Sequence, residues 1–293
     1  INRRVGGDRT DHHQAISDER MARETMAEGN GSRQPMSRSD KIIMCLITLA
    51  FLLLAGAVSV GNPLFESTDE IRHYRYIRHL IVRRSLPVQG TESVRSQSHH
   101  PPLFYALSAL LSGWVASPHT PEYQQPLNPF WGYRNWEVGV DNKLQYYHDS
   151  AEGFPFREGY LAALIPRWVN VLLGAITVWL AYMLGRTVWR DRPALAWAAA
   201  ALVAFNPQFI YLSGSMNNDI IAAATGTAVL LLSLEVVQKG LSRRRLILLG
   251  LAYGLALLAK FHLQRFVCHR RSKLRIPFED GEICSCERCP TRS

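Results

Sequence analysis

"IIMCLITLAFLLLAGAVSV", residues 42 to 60, runs for 19 residues without a charged side chain. At 1.5 Å of rise per residue such a helix is roughly 28 Å long, which matches the hydrocarbon core of a bilayer. The run exceeds the apolar core of a signal peptide and lacks a small-x-small cleavage site followed by a soluble domain, so the sequence predicts a spanning helix rather than a cleaved leader. Three further blocks are comparable: 161 to 184, "LAALIPRWVNVLLGAITVWLAYML"; 193 to 213, "PALAWAAAALVAFNPQFIYLS"; and 219 to 238, "DIIAAATGTAVLLLSLEVVQ". A shorter fifth block, "LILLGLAYGLALLAKF", occupies 246 to 261. Hydrophobic residues make up 47% of the chain and are concentrated in these blocks. The expected fold class is therefore an all-α polytopic membrane protein of about five transmembrane helices.

Basic residues orient the spans. Arg186, Arg190 and Arg192 follow the second block, Lys239 and Arg243 to Arg245 follow the fourth, and the link "SGSMNN" has no basic residue. The positive-inside rule places the first two links in the cytoplasm and the third outside. Arg33, Arg38 and Lys41 then flank the first span on its cytoplasmic side, giving a multi-pass protein of the inner or plasma membrane with a cytoplasmic N-terminus. Residues 61 to 160 become one large extracytoplasmic loop. In it, "PPLFYALSALLSGWVA" (101 to 116) is too short to cross and is expected to form a juxtamembrane or re-entrant helix.

Directly after the first span stands "NPLFESTDEIRHYRYIRHL", residues 62 to 80. Ser67 with Glu70 three positions later has the form of a capping box, predicting a helix from Thr68 with Asp69 in its first turn. Ile71, Tyr74, Ile77 and Ile81 recur at helical spacing opposite Arg72, Arg75, His79 and Arg83, the pattern of an amphipathic helix in the interface plane. Asp69 and Glu70 read most simply as helix-start residues. Asp219, however, opens the fourth block on the same side of the membrane, and an ionisable residue at the edge of an apolar span is a functional candidate. Two acidic sites distant in sequence are expected to converge.

In order and spacing, "TDEIRHYRYIRHL", "LPV", "SHHPPLFYALSALLSG", the stretch from "IPRWVNVLLG" to "SGSMNNDIIAAATG", and "GLALLAKF" resemble the N-terminal half of GT-C superfamily glycosyltransferases. The likeness is to the family 39 type, which includes protein O-mannosyltransferases and lipid A aminoarabinose transferases, and covers roughly residues 40 to 261. It implies a membrane enzyme that moves a sugar, with inversion, from a polyprenyl-phosphate donor to an envelope glycan, lipid or protein acceptor. Asp69 falls at the catalytic base, Glu70 beside it, and Asp219 at the acidic residue of the second outer loop. His100 with Pro101 and Pro102, Arg167, and Lys260 fall at positions near the substrate.

Such chemistry needs a base for the acceptor hydroxyl and cations for the departing phosphate. Arg167 or Lys260 would supply the cation, with His100 a weaker candidate; Arg167 could equally snorkel to the interface, and His100 could simply organise the turn before the double proline. His73, four residues after Asp69, is placed to share its helix face as a hydrogen-bond partner or metal ligand. No metal-ligand spacing demands an ion, although some GT-C members use a divalent one, and no cofactor is certain. The alternative is a non-catalytic membrane protein or transporter fragment whose acids serve a cation path; acids near the bilayer midplane would favour it.

The remaining segments narrow the classes. Residues 117 to 160 are rich in aromatic, proline and polar residues, and Trp131, Tyr133, Trp136, Tyr146 and Tyr147 suit an interfacial belt or sugar stacking. Residues 1 to 40 read as a disordered cytoplasmic tail, and 263 to 293 as an atypical basic tail expected from a frameshift or truncated reading frame. Its Cys284, Cys286 and Cys289, with Cys268 and His269, lack the spacing of paired zinc knuckles. The net charge of +9 is accounted for by cytoplasmic loops and tails, so nucleic acid is not an expected partner.

Overall fold

The computed structural model describes residues 36–88, 97–115, 127–129, 144–148 and 150–260. The two tails therefore lie outside the described residues, apart from positions 36 to 40, as do the cysteine cluster and Trp131, Tyr133 and Trp136. The helices are α1 (Arg38–Gly61), α2 (Glu70–Arg83), α3 (Leu103–Ser112), α4 (Glu158–Val188), α5 (Pro193–Ala204), α6 (Pro207–Ser213), α7 (Asp219–Lys239) and α8 (Arg243–Ala259). Among the described residues the only β pairing is an isolated bridge between Leu127 and Tyr146. The protein is an all-α membrane protein, as its composition predicts.

Among the described residues three helices, α1, α4 and α7, are long and apolar enough to cross a bilayer, and a fourth span results if α5 and α6 count as one. This is fewer than the five expected. The block 193 to 213 is not a single rod: α5 and α6 meet at 60°. Pro207 cannot donate to the helical ladder, and the Asn206 side chain accepts from the Gln208 and Phe209 N–H groups, so the chain ends one helix and caps the next at the same point. The 17-residue α8 is shorter than the other spans. At ten residues α3 is about 15 Å long, too short to cross.

Helix α4 is the axis of the bundle and packs on α1, α3, α5, α6 and α7. Its close contacts use small residues, which suits association in lipid, where apolar surface alone gives little reason for helices to meet. Ala196, Ala200 and Ala204 of α5 are fully buried, and a Cβ on Gly185 would sit 2.8 Å from the Ala196 Cα. Leu46, Leu53, Leu172, Leu202 and Leu230 face outward, an apolar exterior fitted to acyl chains. A second core lies at one end of the bundle, where Tyr74, Tyr76 and Ile77 of α2 meet Phe104 and Tyr105 of α3 and Val169 of α4. Helix α2 is thus amphipathic as expected, with its apolar face covered chiefly by α3.

A capping box does exist, but at α1, where Ser37 and Asp40 exchange hydrogen bonds. Asp40 also accepts from Arg186 and from the Trp197 indole, joining α1, α4 and α5 at the bundle end opposite Asp69. Ser67 and Glu70 do not form the expected box. Helix α2 begins at Glu70, not Thr68, and its N-cap residue Asp69 makes no side-chain cap bond. The Ser67 hydroxyl instead donates to Ser215 and accepts from Asn62.

The reason is the place given to Glu70. Its side chain is fully buried against Arg167, also fully buried, with N–O contacts of 2.7 and 2.6 Å in a two-pronged pair. The Arg167 guanidinium has further bonds to the carbonyls of Ser59, Asn62 and Pro63, so all its N–H groups are engaged. The Glu70 carboxylate also accepts from the backbone N–H groups of Phe65 and Met216. One turn further along α4, Asn170 donates to the carbonyls of Ser215 and Asn217. A single face of α4 therefore fixes the α1–α2 link, the start of α2 and the α6–α7 link.

Arg167→Lys keeps the charge but not the planar fork, leaving several buried carbonyls unpaired. A loss of about 3–5 kcal/mol in thermal unfolding of the detergent-solubilised protein is expected, whereas Arg167→Met with Glu70→Leu should cost less than the sum of the single changes. Gly185→Leu forces α4 and α5 apart and should cost about 1–3 kcal/mol in the same assay.

Candidate functional site

The clamp delivers two acidic residues to one end of the bundle. Asp69 takes a left-handed backbone, φ 59 and ψ 4, a conformation in which a non-glycine residue carries strain and which recurs at functional positions. The chain holds it there because Glu70 is drawn inward on one side and Phe65, also at positive φ, donates to that same carboxylate on the other. The Asp69 side chain consequently points away from the core, partly exposed, and accepts from Arg72 at 2.7 Å. Asp219 opens α7 after a link stapled by Asn170, and its carboxylate is ion-paired with Lys260 at the end of α8.

Two imidazoles stand between these acids. His100 precedes α3 and takes a hydrogen bond from the Asn218 amide to Nδ1 at 3.1 Å, which leaves its proton on Nε2. His73 is buried one turn into α2 and is hydrogen-bonded through Nδ1 to the Tyr105 hydroxyl at 2.8 Å. The two rings are 6.0 Å apart, and Tyr76 stacks on Tyr105 at 3.9 Å. Burial lowers the pKa of His73 to about 4, helped by His100; Asp69 and Asp219 oppose the shift and Lys260 adds to it. His100 is likewise lowered to about 4 by burial, then by His99 and Lys260, against the two aspartates. Asp69, His73, His100, Asp219 and Lys260 thus share one electrostatic neighbourhood, and both histidines are neutral at physiological pH.

These positions change several sequence expectations. The Glu70 carboxylate faces inward, and its acceptor sites are filled by Arg167 and two backbone donors. Arg167 neither snorkels nor faces a phosphate, because its donors are spent inside the protein. His73 pairs with Tyr105 rather than with the Asp69 carboxylate, which Arg72 occupies. His100, being neutral, can donate a hydrogen bond but supplies no cation. Asp69, Asp219 and Lys260 do lie on one side of the bundle, with carboxylates and ammonium partly exposed.

Sequence reasoning passed over Tyr105, Asn170 and Asn218, which position the histidines and the α6–α7 link. It also passed over Glu66, His148 and Glu152, although the four-residue spacing of the last two is a readable pairing signal. Among the described residues no group of three or more His, Cys, Asp or Glu side chains could hold a metal ion, so the donor set does not fit the divalent ion used by some GT-C enzymes.

No curated protein and no solved structure matches the chain. Residues 163–268 match the sequence profile of a family described as dolichyl-phosphate-mannose-protein mannosyltransferase, a stretch that contains Arg167, Asp219 and Lys260 and lies beyond Asp69, His73 and His100. With three to four apolar spans and acidic residues gathered at one end of the bundle, the match supports a membrane glycosyltransferase of the GT-C type.

Proposed function

We propose that the protein transfers a sugar from a polyprenyl-phosphate donor to a hydroxyl of an envelope glycan, lipid or protein, with Asp69 as general base. The observation that carries this reading is the convergence of Asp69, His73, His100, Asp219 and Lys260 at one end of a membrane bundle whose other end collects the Arg186, Arg190 and Arg243–Arg245 links. By the charge rule the basic end is cytoplasmic, the Asp69 end faces the extracytoplasmic side of the inner or plasma membrane, and the N-terminus is cytoplasmic.

A donor of this class keeps its lipid tail in the bilayer and its phosphate at the interface, where the Asp69 end of the bundle lies. The acceptor oxygen attacks the anomeric carbon from the face opposite the phosphate, and its proton passes to the Asp69 carboxylate. The bond between the anomeric carbon and the phosphate oxygen breaks, the electron pair leaving with the polyprenyl phosphate, so the configuration inverts. Lys260, the other of the two candidate cations once Arg167 is spent on Glu70, stabilises the charge that develops on the leaving group, and Asp219 holds its ammonium in place. Neutral His100 offers an N–H to sugar or phosphate oxygen. A cation path would ask for acids near the bilayer midplane; Asp69 and Asp219 instead open α2 and α7 at the bundle end.

Asp69→Asn should reduce transfer from a polyprenyl-phosphate sugar in reconstituted vesicles by about 10²–10⁴-fold while leaving thermal unfolding unchanged, since the side chain is partly exposed. Wild-type transfer by that variant would overturn the assignment. Lys260→Met should lower kcat more than it raises KM, because its contact grows as the phosphate departs.

A further inference from the structure

Glu66, His148 and Glu152 form a chain of contacts that the transfer reaction does not use. The Glu66 carboxylate accepts from the backbone N–H groups of Gln145 and Tyr146, each at 2.9 Å, and meets His148 Nε2 at 2.9 Å. On the other side of the ring, His148 Nδ1 lies 2.8 and 2.9 Å from the two Glu152 oxygens. These contacts join Gln145, Tyr146 and His148 to a position three residues before Asp69, across some eighty residues of chain. Ionised carboxylates only accept, so a ring with a carboxylate on each nitrogen is satisfied only when both nitrogens carry protons.

We propose that His148 is a positioning residue that, as an imidazolium bridging Glu66 and Glu152, fastens its own segment, residues 144–148, and Glu152 onto the link carrying Asp69 and releases them when it loses its proton. The latch stands on these contacts alone; its consequence for transfer rests on the reading of Asp69 as base. It also forms one wall of a cavity of about 220 Å³ lined by Asn62, Pro63, Phe156 and Tyr160, with Arg167 on its inner side. Among the described residues the groups in contact with the ring are Glu66 from the α1–α2 link and Glu152 from its own loop; Tyr160 and the already paired Arg167 of α4 line the same cavity, and Arg75, Glu66 and Arg72 act electrostatically on the neighbouring Tyr146 phenol.

Burial opposes protonation of His148, but its hydrogen bonds to Glu66 and Glu152 outweigh that and raise its pKa above the ordinary value. A group raised on folding contributes fully below its unfolded pKa of about 6.5 and loses that contribution as pH climbs through the folded value. The docked loop is thus the neutral-to-acid form and the open loop the alkaline one.

Hydrogen exchange of the full chain in nanodiscs, corrected for intrinsic rates, between about pH 6 and pH 9 tests this. Peptides covering 144–148, whose Gln145 and Tyr146 amides the latch holds, should lose protection by up to about tenfold per pH unit beyond the transition, while α4 peptides and the clamp-held residues 62–67 stay unchanged. His148→Gln should remove that protection throughout the range. Glu152→Gln, which leaves the Glu66 contacts in place, should move the transition down by about one pH unit, and it serves alone if His148→Gln does not fold. Protection independent of pH in the wild type, or a transition unmoved in Glu152→Gln, overturns the latch. Because exchange is read without substrate, a failed transfer assay leaves this result standing, and the converse holds.

Discussion

The Glu70–Arg167 pair is the interaction on which the rest depends. Burying two opposite charges is costly, and a pair of this kind is retained only when every donor and acceptor finds a partner. Here the guanidinium gathers the carbonyls that close α1, and the carboxylate gathers N–H groups from the α1–α2 link and from Met216. Ser59 and Asn62 stand at the end of α1, and Pro63, Phe65 and Met216 lie in the links, where a buried backbone group must find a partner inside the protein. The ion pair therefore does the work of several helix caps at once and sets where α1, α2 and α7 begin and end relative to α4.

From that arrangement the site follows by geometry. Drawing Glu70 inward turns its neighbour outward, and the left-handed backbone at Asp69 is the strain that accompanies this division of the acidic pair. Adjacent carboxylates thus take opposite places: one is buried and saturated, the other partly exposed and paired with Arg72 at the surface. Asn170 repeats the device a turn away, holding the link that presents Asn218 and Asp219. The histidines are neutral because the same packing that places them also dries them.

The two ends of the bundle differ in kind. At the Asp40 end an acid, an arginine and an indole lock three helices, and the surrounding basic links suit an anionic leaflet. At the Asp69 end polar groups are partly exposed, and the described residues 144–148 and 150–152 are tied to the α1–α2 link by the side chains of Glu66, His148 and Glu152. Such ties can yield without disturbing the span-to-span contacts made by Gly185 and the alanines of α5.

The sequence by itself carried the apolar blocks, the amphipathic α2 and the convergence of Asp69 and Asp219, because these depend on composition and on the length a helix needs to cross a bilayer, whereas Lys260 was reached only through the family likeness. It also carried the likeness to GT-C enzymes. It could not divide labour within the Asp69–Glu70 pair, nor tell whether Arg167 met phosphate or protein, because both depend on partners about a hundred residues away. The capping spacing at Ser67 and Glu70 was a local signal overruled by a buried charge, and the unbroken block 193–213 hid the bend at Asn206 and Pro207. Only the tertiary structure decided those points, since a buried ionisable group takes its role from whatever fills its hydrogen bonds, and that set is assembled when the helices pack.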